Sequence, residues 1–122
     1  MPLYESVFII RQDVSSADLD KITDGFVEII KTNGGELVKQ EYWGIRNLAY
    51  EINNNRKGHY VLLGTNATPA AIAEMERKMK YSIDVIRFLT QRVEEISKEP
   101  SPILRNERLE VEEVVDVTAL RV

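Results

Sequence analysis

Apolar and polar positions along this chain follow two periods, and the points where the period changes mark six elements. Leu3 to Arg11 (LYESVFIIR) carries apolar residues at both parities, with Leu3, Val7 and Ile9 on one and Tyr4, Phe8 and Ile10 on the other. That is the pattern of a central strand. Asp13-Val14-Ser15-Ser16 breaks it, and Ser15 followed three residues later by Asp18 resembles a capping box with Asp in place of Glu. Leu19, Ile22, Phe26, Ile29 and Ile30 then form one helical stripe, with Asp20, Lys21, Asp24, Glu28 and Lys31 mostly off it. Asn33-Gly34-Gly35 ends this helix with residues that tolerate positive φ.

The next stretch predicts a hairpin. Its first strand runs from about Glu36 to Ile52, and its second reaches about Asn66 through Tyr60-Val61-Leu62-Leu63. Asn53-Asn54-Asn55-Arg56-Lys57-Gly58 reads as the turn between them. Trp43 and Ile45 occupy odd positions while Leu48, Tyr50 and Ile52 are even, so the parity slips near Gly44, as an inserted bulge residue would make it. The hairpin should therefore be bent and strongly twisted. Thr68-Pro69 supplies an N-cap with proline at the first helical position, and Ile72, Met75 and Met79 mark the buried stripe of a shorter helix. Arg77, Lys78 and Lys80 place positive charge where the helix dipole favours it, and read as a solvated face. Ile83 to Arg92 (IDVIRFLTQR) is the last strand, with Val85, Arg87 and Leu89 on one side and Ile86, Phe88 and Thr90 on the other.

Strand, helix, strand, strand, helix, strand is the split βαβ order of the ferredoxin-like α+β sandwich: a four-stranded antiparallel sheet with two helices on one face. In that topology the second strand is an exposed edge, which needs protection or a partner. The opposite sheet face is left uncovered, and the apolar residues at both parities suggest a binding surface there.

Composition narrows the function classes. At 122 residues with 43% apolar content the chain suits one domain with one core. It has no cysteine and one histidine, which excludes disulfides, thiolate chemistry and a multi-histidine metal site within one chain. The start has no basic n-region before an apolar run and nothing later approaches a membrane span, so the expectation is a cytoplasmic protein. The net charge of −4 is uneven: Met1 to Arg92 holds twelve acids and twelve bases, and Val93 to Val122 holds eight acids and four bases. Residues 1–95 are expected to form the domain, and residues 96–122 an acidic, flexible extension.

Tyr4-Glu5, the run Trp43-Gly44-Ile45-Arg46-Asn47-Leu48-Ala49-Tyr50, then Lys57-Gly58-His59-Tyr60, and Val85-Ile86-Arg87-Phe88-Leu89 resemble the bacterial small-subunit (30S) ribosomal protein number six family. The resemblance covers about residues 2 to 92, and the G-x-R-x-L-A-Y run followed by K-G-x-Y is its most specific part. It implies a structural ribosomal protein, not an enzyme, that binds the central domain of 16S rRNA together with ribosomal small-subunit protein eighteen. No cofactor, metal or small-molecule substrate is implied. The family's partner-contacting edge maps onto Glu41, Trp43, Arg46 and Tyr50. Arg46 is the leading residue, because its guanidinium pairs with phosphate or carboxylate and stacks on rings. Asn47 departs from the family where a second basic residue is expected, which puts more weight on Arg46. The thirty residues after Arg92 depart too, since family members commonly stop soon after the last strand.

Arg56, Lys57, Arg87 and Arg92 are the candidate phosphate contacts. His59 is a candidate for stacking on RNA or partner, whereas Tyr60 reads as core; His59 has no nearby nucleophile to serve in catalysis. Two other readings share the fold. One is a dimeric ferredoxin-like small-molecule sensor or enzyme, for which the sequence lacks a convergent polar cluster. The other is an RRM-like reader of single-stranded RNA, for which Lys57 to Gly64 lacks the aromatic motif.

Overall fold

The computed structural model describes residues 1–52 and 55–97. Asn53-Asn54 and, apart from Ile96 and Ser97, the expected acidic extension lie outside the described residues. The element order is β1 (Leu3–Arg11), α1 (Ser16–Thr32), β2 (Glu36–Ile52), β3 (Asn55–Asn66), α2 (Pro69–Tyr81) and β4 (Val85–Val93). Every adjacent pair in the sheet is antiparallel, in the order β2-β3-β1-β4, so β2 and β4 are the edges. This is the ferredoxin-like arrangement expected from the sequence.

Local chemistry sets the helix limits. The Ser15 side-chain oxygen accepts from the Asp18 N–H at 3.2 Å, and Thr68 does the same for Ala71 ahead of Pro69. Each removes one of the unpaired N–H groups at a helix start. At the end of α1 the Asn33 side-chain amide and backbone N–H both donate to the Ile29 carbonyl, and Gly34 turns the chain at φ 83°.

Both helices lie on one face. Phe8 and Ile10 of β1 with Val61 and Leu63 of β3 meet Leu19, Phe26 and Ile30 of α1 and Ile72, Met75 and Met79 of α2. Phe8 and Phe26 pack edge to face, with centroids 5.3 Å apart. Truncating any of these side chains to alanine costs about 2–5 kcal/mol. Within this layer the Ser6 and Thr90 hydroxyls, directly opposite on β1 and β4, lie 2.8 Å apart.

The other face differs from the expectation of an uncovered surface. Ile9, Trp43, Leu48, Tyr60 and Leu62 form a second buried cluster, with Val7, Ile52, Ile86 and Leu89 packed against it. Leu48 and Ile52 belong to edge strand β2, yet they pack with residues of β4, the opposite edge. The far end of the hairpin therefore folds back across the sheet. Two register shifts allow it, one between Tyr42 and Gly44 and one between Asn47 and Ile52. Gly44 takes φ 89° at the first, which is the bulge that the parity slip announced. Apolar residues at both parities thus fill a second core, a use the sequence reading took for binding surface.

Two further boundaries and one strand register differ from the sequence reading. β3 begins at Asn55, so Asn55 to Gly58 are strand and not turn. Gly58 is needed for a close approach: a Cβ there would lie 2.4 Å from the Ile9 Cγ2 and 3.1 Å from the Ile10 carbonyl oxygen. β4 starts at Val85, leaving Ile83 outside the sheet. Ile9 pairs with Arg87 and Ile10 with Val85, so Ile86 is a bulge residue, and Val85 shares the helix-covered side with Phe88 instead of opposing it.

Candidate partner and nucleic-acid interfaces

The four residues assigned to a partner edge sit along β2, where the antiparallel ladder leaves one side unpaired. They divide by environment. Trp43, only 7% exposed, stacks on Tyr60 with ring centroids 6.4 Å apart and a 17° interplanar angle. Its indole N–H donates to the Glu41 Oε1 at 3.0 Å, and the Lys39 ammonium lies 3.4 Å from the other carboxylate oxygen. The Glu41 carboxylate, itself 8% exposed, is thus held by donors from within its own strand. Glu41 and Trp43 shape the edge from beneath.

Arg46 and Tyr50 are more accessible. Arg46 pairs across from Gly58, on the same side of the sheet as Tyr60, and its charge opposes the rise in the Tyr60 pKa that burial causes. Tyr50, at the end of the folded-back arm, receives a hydrogen bond from the Arg87 Nη2 at 2.9 Å, and the Arg87 guanidinium lies 5.8 Å from the centre of its ring. A cation over an exposed aromatic face contributes about 0.5–1 kcal/mol. This contact links the partner edge to one of the candidate phosphate contacts.

The structure also places on this edge residues that the sequence reading passed over. Val38, Tyr42 and Ile45 are exposed, Ile45 to 52%. Tyr42 and Ile45 pair with Val61 and His59, so their side chains lie towards the helix-covered side, at its margin. The signal for them was the bulge at Gly44, which shifts parity and decides which residues before and after it point inward.

His59 corrects an expectation. It is 5% exposed, and both ring nitrogens have partners: Nε2 lies 3.0 Å from the Val14 carbonyl oxygen and Nδ1 2.8 Å from the Tyr42 hydroxyl. A carbonyl only accepts, so Nε2 carries the proton and Nδ1 accepts from Tyr42 in the neutral ring. Burial raises the Tyr42 pKa above its ordinary value, which keeps that donor protonated. The ring ties β2 to the loop before α1, and stacking on RNA is not open to it.

Among the candidate phosphate contacts, Arg56 and Lys57 are exposed at the start of β3, at the end of the sheet where β4 begins, and Arg87 lies two strands away on β4, level with Tyr60 across β1. Arg92 pairs across from Tyr4, five residues further along β4, roughly 17 Å away at the usual strand rise. The four do not form one patch. Among the described residues no group of three His, Cys, Asp or Glu side chains could hold a metal, and no helix is long and apolar enough to cross a membrane.

Comparison with known proteins gives a consistent result. The family model described as ribosomal protein S6 matches residues 3–92. Small ribosomal subunit protein bS6 of Rickettsia bellii is 61% identical over 98% of this chain and 99% of that protein. Its counterpart from Rickettsia prowazekii is 58% identical over 97% of this chain and 98% of that protein. The crystal structure of 30S ribosomal protein S6 from Thermotoga maritima superposes with a TM-score of 0.71 at 25% identity, covering 92% of this chain and 96% of that one.

Proposed function

The chain belongs to the ribosomal protein S6 family, and from that premise we propose that it joins the central domain of 16S rRNA cooperatively with ribosomal small-subunit protein eighteen. It is a structural, non-catalytic protein of the small ribosomal subunit, in the bacterial cytoplasm, and rRNA is its partner.

The observation that supports the cooperative reading is the free edge of β2. It carries Arg46 and Tyr50 on one side and the exposed Tyr42 and Ile45 on the other, while Glu41 and Trp43 hold its shape. A long edge with exposed apolar side chains is a hazard unless another chain covers it. The region up to Arg92 has balanced charge, so its own phosphate contacts are few and a basic partner supplies the rest. On this reading Arg56, Lys57, Arg87 and Arg92 reach rRNA, and the edge reaches the protein partner.

A salt titration of binding to a central-domain rRNA fragment, with and without protein eighteen, tests this. The expected outcome is weak binding alone and at least tenfold tighter binding with the partner. Arg46→Ala should remove about 1–3 kcal/mol of that gain, the usual loss for a charged hydrogen bond, with little effect on the fold. Equal affinity with and without the partner would refute the cooperative reading.

A further inference from the structure

The most exposed large apolar residues at a structured corner of the molecule are Tyr81, 72% exposed, and Ile83, 85% exposed. They flank the turn between α2 and β4, on the side of the sheet away from the partner edge. Neither packs into a core cluster. Four hydrogen bonds anchor this turn: the Ser82 N–H donates to the Met79 carbonyl, the Asp84 N–H donates to the Ser82 Oγ, the Asp84 carbonyl accepts from the Arg11 N–H, and its carboxylate accepts from the Arg11 Nε at 2.8 Å. Two apolar side chains are thus presented to solvent on a fixed support.

Cations surround them. Arg77, Lys78 and Lys80 crowd the last turn of α2, and successive positions around a helix place Tyr81 between Lys78 on one flank and Arg77 and Lys80 on the other. Glu74 holds the Arg77 guanidinium through two hydrogen bonds, and Arg11 balances Asp84. Glu76 lies one turn before Lys80. Lys80 and Arg87 border a shallow depression of about 560 Å³ that also includes Ser82, Ile83 and Phe88.

We infer that this corner is a second rRNA contact, at which an unpaired nucleobase stacks on Tyr81 beside Ile83 while Lys78 and Lys80 meet the adjoining phosphates. An aromatic face ringed by cations suits a stacked base and its backbone, because every base has a π-face and every linkage a negative charge. A protein partner fits this corner less well, since a basic one would be repelled and an acidic one would leave the aromatic ring without a specific role. The inference rests on the ribosomal reading above but uses none of the residues assigned to the β2 edge.

The test is competitive reconstitution of small subunits from small-subunit rRNA and purified small-subunit proteins, with full-length wild-type chain against a Lys80→Ala, Tyr81→Ala double variant. Chemical probing of the rRNA follows on the particles formed. The variant should compete at least tenfold less well, as loss of one stacked base and one phosphate contact implies. A discrete set of nucleotides protected by the wild type should become reactive, and a single Tyr81→Phe variant, with Lys80 intact, should retain both wild-type competition and protection. Melting curves of the free proteins should coincide, because both side chains are exposed. Equal competition with unchanged protections would overturn the inference, as would ultraviolet cross-links from this corner to a protein and not to rRNA. Failure of the wild-type chain itself to enter the particle overturns the ribosomal reading and this inference together, and differs visibly from a defect confined to the variant.

Discussion

Replacing Tyr60 by phenylalanine should stabilise the protein. Tyr60 has no exposed surface, lies flat against Trp43, and its hydroxyl has no hydrogen-bond partner among the described residues. A buried hydroxyl without a partner costs about 1–3 kcal/mol, and Tyr60→Phe removes that cost while keeping the ring. After allowance for the small void left by the oxygen, the gain should be about 1 kcal/mol, which raises the melting temperature by roughly 4–8 °C in a domain of this size. The effect should grow in alkali. Burial pushes the Tyr60 pKa up to about 12 from an ordinary value of 10.0, with Arg46 pulling slightly the other way. The folded state therefore favours the protonated phenol. Stability from this group is fully present below about pH 10 and is lost as pH rises through the folded value, where the unfolded chain ionises first. Two pKa units correspond to at most about 2.7 kcal/mol. Urea unfolding followed by the fluorescence of Trp43, the only tryptophan, gives the measurement in both proteins. The difference between them should widen from near-neutral pH to about pH 12. Destabilisation by more than about 1 kcal/mol near neutral pH, or parallel stability curves up to about pH 12, would refute the reasoning.

Two other outcomes follow from the same sheet. Gly58→Ala should destabilise by about 1–3 kcal/mol in chemical denaturation, because the added Cβ meets Ile9 at 2.4 Å and the neighbouring backbone cannot retreat; an unchanged midpoint would show that the strand shifts freely. Tyr42→Phe removes the donor to the His59 Nδ1 and should cost about 0.5–1.5 kcal/mol in urea unfolding, since Tyr42 is half exposed and water replaces part of the bond.

The order of elements was legible because each boundary has a local cause. Ser15, Asn33-Gly34 and Thr68-Pro69 act through hydrogen bonds and backbone freedom within a few residues of themselves. The Gly44 bulge was legible for the same reason, as a slip in parity. What was not legible depends on residues far apart in the chain. Gly58 reads as a turn residue beside three asparagines, and only the approach of Ile9, 49 residues earlier, shows why no side chain fits. His59 looks like an exposed polar residue between Gly58 and Tyr60 until Val14 and Tyr42 are brought to either side of it. Leu48 and Ile52 alternate as a half-buried strand should, but the alternation does not say that the strand bends back to reach β4. Ile83 carries an apolar side chain into a turn, and its exposure is set by where β4 begins. The candidate site was therefore readable as a strand and not as a surface.

The pairing of β1 with β4 affects how the chain can fold. Ser6 meets Thr90 across 84 positions, so one side of β1 stays unpaired until nearly all of the folded region has been synthesised. Contacts between such distant positions come late, because the loop between them must close first. Until then β1 offers Phe8 and Ile10 beside an open row of backbone donors and acceptors, a template for pairing with another nascent copy. Shortening the chain before Val85 should thus produce aggregation rather than a smaller stable domain, and the last strand serves as much to close off β1 as to extend the sheet.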